Sequence, residues 1–414
     1  MTFISTKEKF IFYTLPVILF SLIPLFLITG PLLSDLSVSL ISSLFLIYCI
    51  KKKSFSYFKN RYFYFFSAFW IYLIINTLIN NLNLDSLKIS FFFFRYGVFV
   101  IAMITLLNEN NKFIKYFFYC LLICFVCLIL DGFHEYFYKN TGNRVTSFFG
   151  DEEILGSYLS RLWPIFFGLS LIFFKNKKKL LFLISLIFIL SEVLIFLSGD
   201  RTAFFYINLS AIFIIIFSKN LFKLRIITLL SSLFIIVIIS LFNPSAKERV
   251  VDYTIDQMNL ANKNQQNKEV YIFSKEHTHH YITAYRMFLD NKILGVGVKN
   301  FRIFCNYEDY KKSHLSCSTH PHNTYIQILS ETGIIGFIFL IAVLIFFCKN
   351  IFFHLFLKFK SKTYFNDFEI CILSCLAIYL WPFAPTGNVF NNWLNIIMIL
   401  NLPLLILSRK SINT

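Results

Sequence analysis

The chain has 414 residues, 57% of them hydrophobic and 20% aromatic, with 55 Phe and a formal net charge of +17. That composition excludes an ordinary soluble domain, in which apolar residues make up about 45–50%. The apolar runs, roughly 18–22 residues each and long enough to cross a bilayer as helices, exclude a β-barrel of short alternating strands. Lys and Arg fall in short clusters between these runs, not on one contiguous face, which argues for membrane topology and against nucleic-acid binding.

In chain order, spans are expected at 10–29, 32–50, 62–79, 89–107, 114–132, 154–174, 180–198, 202–218, 225–242, 327–348, 367–382 and 391–408. The first run lacks a small-residue cleavage site and is followed by further spans, so it reads as a retained helix, not a signal peptide. With the N-terminus on the cytoplasmic side, clusters such as Lys51, Lys52, Lys53 and Lys177, Lys178, Lys179 fall inside. The short outer loops then hold only Lys88, Lys139, Arg144 and Arg201. An odd number of spans would scramble that partition, so both termini are expected in the cytoplasm. The expected fold is all-α: a polytopic membrane protein of about 12 transmembrane helices with a large periplasmic loop containing short helices. Its parts are residues 1–242 with nine spans, 243–322 as the catalytic loop, and 323–414 with three spans. A second outer segment runs from Asp131 to Glu153. The large loop is not disordered in composition, with helix-like patches at Val251, Ile255, Met258 and at Ile282, Tyr285, Phe288.

Seven cysteines (Cys49, Cys120, Cys124, Cys127, Cys348, Cys371 and Cys375) fall in or beside spans and read as small core residues. Cys305 and Cys317 lie in the outer loop. In an oxidising compartment they are candidates for a disulfide, which for so short a loop contributes about 3 kcal/mol.

The chemistry concentrates in four stretches. Thr319-His320-Pro321-His322-Asn323 stands at the start of a helix that enters the membrane and runs through Gly333 to Gly336. Six of the eight His (His277, His279, His280, His314, His320 and His322) are in the large loop. Imidazole is the usual proton acceptor near neutral pH. His320 and His322 are read as functional because they sit at a helix start on the membrane surface. His277, His279 and His280 are read as solvated loop residues. Arg201, in Ser198-Gly199-Asp200-Arg201-Thr202, runs against the positive-inside bias and reads as an anion clamp. Arg286 precedes the turn Gly295-Val296-Gly297, and Arg144 precedes Gly156 and Arg161. Arg95 and Glu192 lie within spans, where charges are paired or functional; Arg161 and Arg95 are both open as partners of Glu192. The His spacing matches no zinc-ligand pattern and lacks a carboxylate partner, so no metal is expected. No glycine-rich nucleotide loop is present, and no cofactor is expected.

Taken together, Arg144 to Gly156, Ser198 to Thr202, Arg286 to Gly297 and His320 to Gly336 resemble the O-antigen ligase and O-antigen polymerase superfamily of bacterial membrane glycosyltransferases. The resemblance implies an all-helical bundle in the inner membrane with a periplasmic loop between two late spans. It implies transfer of a glycan from undecaprenyl diphosphate to a hydroxyl, without nucleotide sugar or a required metal. His322 matches the family's catalytic His, and Arg201 and Arg286 match the arginines thought to hold the diphosphate. Arg144, His320, Asn323, Arg161 and Arg95 are the expected substrate-binding residues. The turn here reads Gly-Asp-Arg where many members have Ser-Arg, which leaves the role of Asp200 open. A ligase would move the glycan to lipid A–core; a polymerase would move it to a second lipid-linked repeat unit. The stretch His320-Pro321-His322-Asn323 favours the ligase, with a protein-glycosylating relative third. A transporter of lipid-linked glycan would also suit twelve spans, but no inverted repeat is visible, and His and Arg gathered on one face argue for chemistry there.

Overall fold

The computed structural model describes residues 5–80, 83–109, 112–139, 144–174, 177–243, 247–260, 271 and 273–412. Of the large loop, residues 244–246, 261–270 and 272 lie outside the described residues. Among those described, every regular element is a helix. This is what hydrocarbon demands of a single chain, because a helix satisfies its own backbone hydrogen bonds.

The first nine long helices are α1 (Thr6–Phe26), α2 (Pro31–Lys51), α3 (Arg61–Ile79), α4 (Leu84–Glu109), α5 (Lys112–Tyr138), α6 (Leu155–Phe173), α7 (Lys178–Ser198), α8 (Arg201–Phe217) and α9 (Phe222–Phe242). Then come α10 (Lys275–Asp290) in the large loop, α11 (Thr324–Phe359), α12 (Asp367–Tyr379) and α13 (Asn392–Ile412). Each expected span thus corresponds to a helix, and ten are long and apolar enough to cross a membrane. The other two are shorter: α8 has 17 residues and α12 has 13. At about 1.5 Å per residue, α12 reaches only about 20 Å, so the span expected at 367–382 ends early, at Tyr379. The chain continues through 380–391 as irregular backbone.

Helix α6 is the centre of the bundle. It is buried along nearly its whole length and packs against α7, α8 and α12. Phe166 on α6 stacks on Phe118 and Phe125 of α5, so the abundant Phe serves as interhelical filler. On α9, by contrast, Ile227, Leu230, Phe234, Val237 and Leu241 are exposed at helical spacing, an apolar stripe suited to lipid. Intramembrane charges are paired: Arg95 with Asp35 at 2.5 Å, and Glu192 with the Ser232 hydroxyl at 2.5 Å. Glu192 therefore pairs with neither Arg161 nor Arg95, because α9 supplies a nearer donor.

The large loop is fastened to the membrane bundle by interlocking glycines. Helix α11 is broken at Gly333, whose φ of 62° and ψ of −166° are not helical. The turn after α10 fills the break. Val296 N–H donates to Ser330 O, Gly297 N–H to Glu331 O and Ile334 N–H to Lys292 O, all at 2.9 Å. A Cβ at Gly333 would lie 2.2 Å from Ile293 O, and one at Gly295 would lie 2.6 Å from Ser330 O. Only two facing glycines permit this approach. Nearby, Tyr72 O–H donates to Thr332 O, and Asn76 Nδ2 donates to Leu294 O at 2.5 Å, so α3 joins the lock. The buried Glu331 carboxylate accepts from Phe301 N–H at 3.1 Å and from Gln327 Nε2 at 2.9 Å.

Within the loop, α10 is capped by Ser274, whose Oγ accepts from His277 N–H at 3.1 Å. Its buried face runs through His279, His280, Thr283, Ala284 and Met287. That face is displaced from the expected patch, and Tyr285 is exposed. The Cys305–Cys317 disulfide is formed, with Cα atoms 5.2 Å apart.

Candidate active site

Asn323 starts α11. Its side-chain oxygen accepts from Tyr325 N–H at 3.0 Å and Ile326 N–H at 3.2 Å, the N-cap arrangement that satisfies otherwise orphaned donors. The residue before it, His322, has a φ of 55°, in the left-handed region. For a side chain branching into a ring this costs about 1–3 kcal/mol. The neighbouring chain holds it there: Thr386 N–H donates to His322 O at 2.8 Å.

Thr386 belongs to 380–391, which joins α12 to α13 and has the sequence Leu380-Trp381-Pro382-Phe383-Ala384-Pro385-Thr386-Gly387 in its first part. Side chains satisfy its carbonyls one after another. Tyr325 O–H donates to Leu380 O at 2.6 Å, Asn323 Nδ2 to Pro382 O at 2.9 Å, and Tyr206 O–H to Pro385 O at 3.1 Å. His320 Nε2 donates to Thr386 O at 3.1 Å, and Asn395 Nδ2 to Val389 O at 2.9 Å. Irregular backbone near a membrane is tolerated when protein groups pair it in this way.

These bonds fix the tautomer of His320. A carbonyl only accepts, so Nε2 carries the proton, and Nδ1 accepts from the Thr319 hydroxyl at 2.9 Å. Both nitrogens of His320 are therefore committed. Its ring centroid lies 4.0 Å from that of His322. His277 and His280, one turn apart on α10, bring their rings to 5.3 Å and 5.4 Å from His322. The reading of His277, His279 and His280 as solvated is overturned. His279 and His280 are buried, each 7% exposed, and His277 is half-buried. His277 Nδ1 bonds Ser274 Oγ at 2.7 Å, and His279 Nδ1 bonds Ser313 Oγ at 2.5 Å. No ring nitrogen of half-buried His322 has a hydrogen-bond partner among the described residues.

Burial, then the nearby His277 and His280, lowers the pKa of His322 from 6.5 to about 4. Burial and His322 lower His320 to about 3. Burial, His280 and the charge of Arg201 lower His277 to about 4. All three imidazoles are thus neutral at pH 7, and His322 is an uncharged ring with a lone pair free to accept a proton. A base with pKa near ambient pH, the ordinary requirement, is not what the free protein presents.

Arg201 is the first residue of α8. Before it, Gly199 takes a φ of 73°, and Asp200 caps the helix by accepting from Ala203 N–H at 3.0 Å. Gly156 on α6 leaves the space for this turn, since a Cβ there would meet Asp200 Oδ2 at 2.9 Å. Two of the four stretches singled out in the sequence therefore touch. Arg201 Nη1 donates to Thr254 Oγ1 at 3.2 Å and is half-buried. Burial raises the pKa of Asp200, partly offset by the Ala203 amide and by the charges of Arg144 and Arg161. Both arginines are thereby close enough to Asp200 to act on it. Arg144 pairs with Glu153 at 2.7 Å and is partly exposed. Arg161 is buried between the rings of Tyr206 and Tyr379, at 4.7 and 4.8 Å, and donates from Nε to Ser157 Oγ at 3.1 Å.

Arg286 and Arg95 are not in this cluster. Arg286 donates to Lys311 O at 2.9 Å and to Tyr310 O at 3.5 Å. On α10 it lies seven residues from His279, about two helical turns, so it shares that residue's face and not the face of His277. Arg95 bonds Asp35 and the Tyr96 hydroxyl, on α2 and α4. Arg302, which the sequence reading passed over, donates to Thr319 O at 3.2 Å, and its charge adds to the lowering of His320. Also missed were His277, His280 and the segment 380–391. The signal for the segment was present: two Pro and a Gly within six residues break a helix. Among the described residues no group of three or more His, Cys, Asp or Glu is arranged to hold a metal.

Residues 183–341 match a family model described as O-antigen ligase. The matched stretch begins in α7 and ends within α11, so it contains Arg201, Arg286, His320, His322 and Asn323. No curated protein matches the chain. Ten helices long and apolar enough to cross a membrane make this a multi-pass membrane protein, and its residues 183–341 are similar to the O-antigen ligase family.

Proposed function

We propose that this chain, which carries the O-antigen ligase domain over residues 183–341, transfers a glycan from undecaprenyl diphosphate to a hydroxyl of lipid A–core in lipopolysaccharide biosynthesis. It does so in the bacterial inner membrane, with both termini cytoplasmic and the 243–322 loop periplasmic. The observation that carries the reading is His322: a strained, neutral imidazole with no hydrogen-bond partner on its ring among the described residues, beside a His277 that feels the charge of Arg201. The bias of Lys and Arg among the loops supports the orientation.

The step is an inverting displacement. The acceptor oxygen attacks the anomeric carbon opposite the diphosphate, and a new C–O bond forms. The bond from that carbon to the diphosphate breaks, leaving its electron pair on the departing oxygen. The acceptor proton passes to a ring nitrogen of His322. Arg201, with Arg144 exchanging Glu153 for the ligand, balances the charge on the leaving group, where fixed positive charge in a partly dry site has most effect. Arg161 holds the Asp200 turn by its charge, and His320 buttresses the His322 ring. Asn323 sets the start of α11. Arg286 supports the disulfide-closed loop through the carbonyls of Tyr310 and Lys311. The step as written uses no cofactor.

The test is purified full-length protein in lipid with a glycan donor on undecaprenyl diphosphate, offered lipid A–core and a second lipid-linked repeat unit in parallel. Products are read by mass. Glycan on lipid A–core is the expected result; a longer undecaprenyl-linked chain instead makes the protein a polymerase. His322→Ala is expected to abolish transfer at unchanged protein level. Transfer near the wild-type rate in that variant rules out His322 as the base.

A further inference from the structure

Arg95, absent from the His322 cluster, lines a pocket of its own. The pocket is open and lies between α4 and the start of α13. Its walls include the rings of Tyr96 and Phe390, and its polar lining is Lys88, Arg95, Asn392 and Asn395. One edge of the Arg95 guanidinium is used: Nη2 donates to Asp35 and to the Tyr96 hydroxyl. The other is not. Nε is buried and finds no hydrogen-bond acceptor among the described residues. A buried donor of a charged group is seldom left so, because its desolvation is then uncompensated. Asn392 adds a second donor. Its Oδ1 accepts from the Tyr96 hydroxyl at 3.0 Å, and its amide N–H groups have no acceptor among the described residues. Lys88 stands at the rim, 69% exposed, with only a solvated 3.6 Å pair to Asp85.

The unfilled groups are all donors, two of them on cationic side chains, and the Asp35 carboxylate is held by Arg95 and is not among the lining residues. Such a set fits an anion with several acceptor oxygens, above all a phosphate. Phe92 on its lip is exposed, an apolar edge suited to lipid. Its other wall is functional. Phe390 lies in the 380–391 segment, four residues after the Thr386 that holds both His320 and His322. Four residues span at most about 14 Å, less than the length of one sugar-bearing lipid headgroup.

We propose that this pocket holds the phosphate of the acceptor lipid, so that donor and acceptor lie on opposite sides of the 380–391 segment with His322 between them. The proposal deepens the glycosyl-transfer reading and rests on it. The chemistry recognised is a lipid phosphate, which both phosphorylated lipid A and an undecaprenyl-linked repeat unit present.

The experiment uses full-length protein in phosphatidylcholine nanodiscs. Binding of bis-phosphorylated lipid A, undecaprenyl phosphate and inorganic phosphate is titrated separately by native mass spectrometry, without glycan donor. Arg95→Gln and Asn392→Leu are expected to weaken binding of a lipid phosphate about tenfold, and Lys88→Gln by a smaller factor. The acceptor KM should rise by the same factors while the donor KM stays put. Lys88 is exposed and Asn392 half-exposed, so these variants keep the test open if Arg95→Gln does not fold. A preference for lipid A over undecaprenyl phosphate, or the reverse, identifies the source of the phosphate. Unchanged binding and acceptor KM in the variants that fold overturns the proposal. So does inorganic phosphate binding as tightly as either lipid. Variant-sensitive lipid binding with no glycan transfer by the wild type supports the pocket and sinks the transfer reading, so the two failures are separable.

Discussion

Replacing Gly333 by Ala tests whether the loop is locked to the membrane helix by backbone approach. The new Cβ would lie 2.2 Å from Ile293 O and 2.4 Å from its carbon, both backbone atoms that no rotamer change can move aside. The turn must withdraw, and three backbone hydrogen bonds of 2.9 Å go with it. At about 1 kcal/mol net each, they amount to about 3 kcal/mol. A φ of 62° with a ψ of −166°, a region essentially confined to Gly, adds about 1–3 kcal/mol for Ala, for a total of about 4–6 kcal/mol. Gly150→Ala is the control: its φ is also 62°, but nothing lies within 4 Å of a Cβ there, so it carries only the backbone cost. Thermal melting in nanodiscs, with limited proteolysis of residues 243–322, compares the two. Gly333→Ala should melt well below Gly150→Ala, expose the loop to protease and lose transfer. Gly295→Ala, which meets the same backbone from the other side, should behave like Gly333→Ala. If Gly333→Ala and Gly150→Ala melt together, the interlock contributes nothing and the reasoning fails.

Three further outcomes follow from the site. Arg201→Lys should cut kcat at least about tenfold, because an ammonium lacks the guanidinium fork. Arg286→Ala should lower the melting temperature with the donor KM unchanged; a raised donor KM would return Arg286 to the diphosphate clamp. Replacing Cys305 and Cys317 together by Ser removes the loop closure and should cost about 3 kcal/mol, seen as a lower melt that reductant no longer shifts. The pH dependence has a definite sign. With its pKa lowered to about 4, His322 stays in the neutral, proton-accepting form as pH falls from 8 to about 5, and is lost only below that. Measured kcat/KM, which reports the free enzyme, should be flat over that range. An acid limb centred at 6.5 would mark His322 as an ordinary solvated imidazole.

The spans were readable because hydrocarbon enforces one rule, an apolar run of fixed length, and ten of the described helices obey it. The rule fails where the constraint is shared. At α12 the helix stops at Tyr379 just ahead of Pro382, Pro385 and Gly387, a break the sequence does signal, but the carbonyls beyond it bond Tyr325, Asn323 and Tyr206 from other helices, and no local pattern encodes such partners. The prominence of His320 and His322 came from position at a helix start, which is local. The inclusion of His277 and His280 depends on α10 folding back onto that start, some 40 residues along the chain. A His beside a His looks solvated in a sequence; only the packing reveals three rings around a fourth. Arg286 shows what a sequence leaves out. Its type and spacing suit an anion, but α10 turns it toward the carbonyls of Tyr310 and Lys311.

The electrostatics tie the parts of the proposed site together. Burial is the main cause that makes each imidazole of the cluster a weak base, and His277 is held down in part by Arg201 as well. A diphosphate seated on Arg201 brings negative charge to the same place. Opposite charge nearby favours the protonated form of an imidazole, so such a ligand offsets the part of the His277 depression that comes from Arg201. On the proposed mechanism, His322 is a poor proton acceptor toward water when no donor is bound and a better one once the leaving group is in place. The strained φ of His322 and the three hydrogen bonds that tie His320, His322 and Asn323 to 380–391 then have a common purpose. They hold an unpaired ring nitrogen where only the acceptor hydroxyl, delivered across that segment, completes its hydrogen bond.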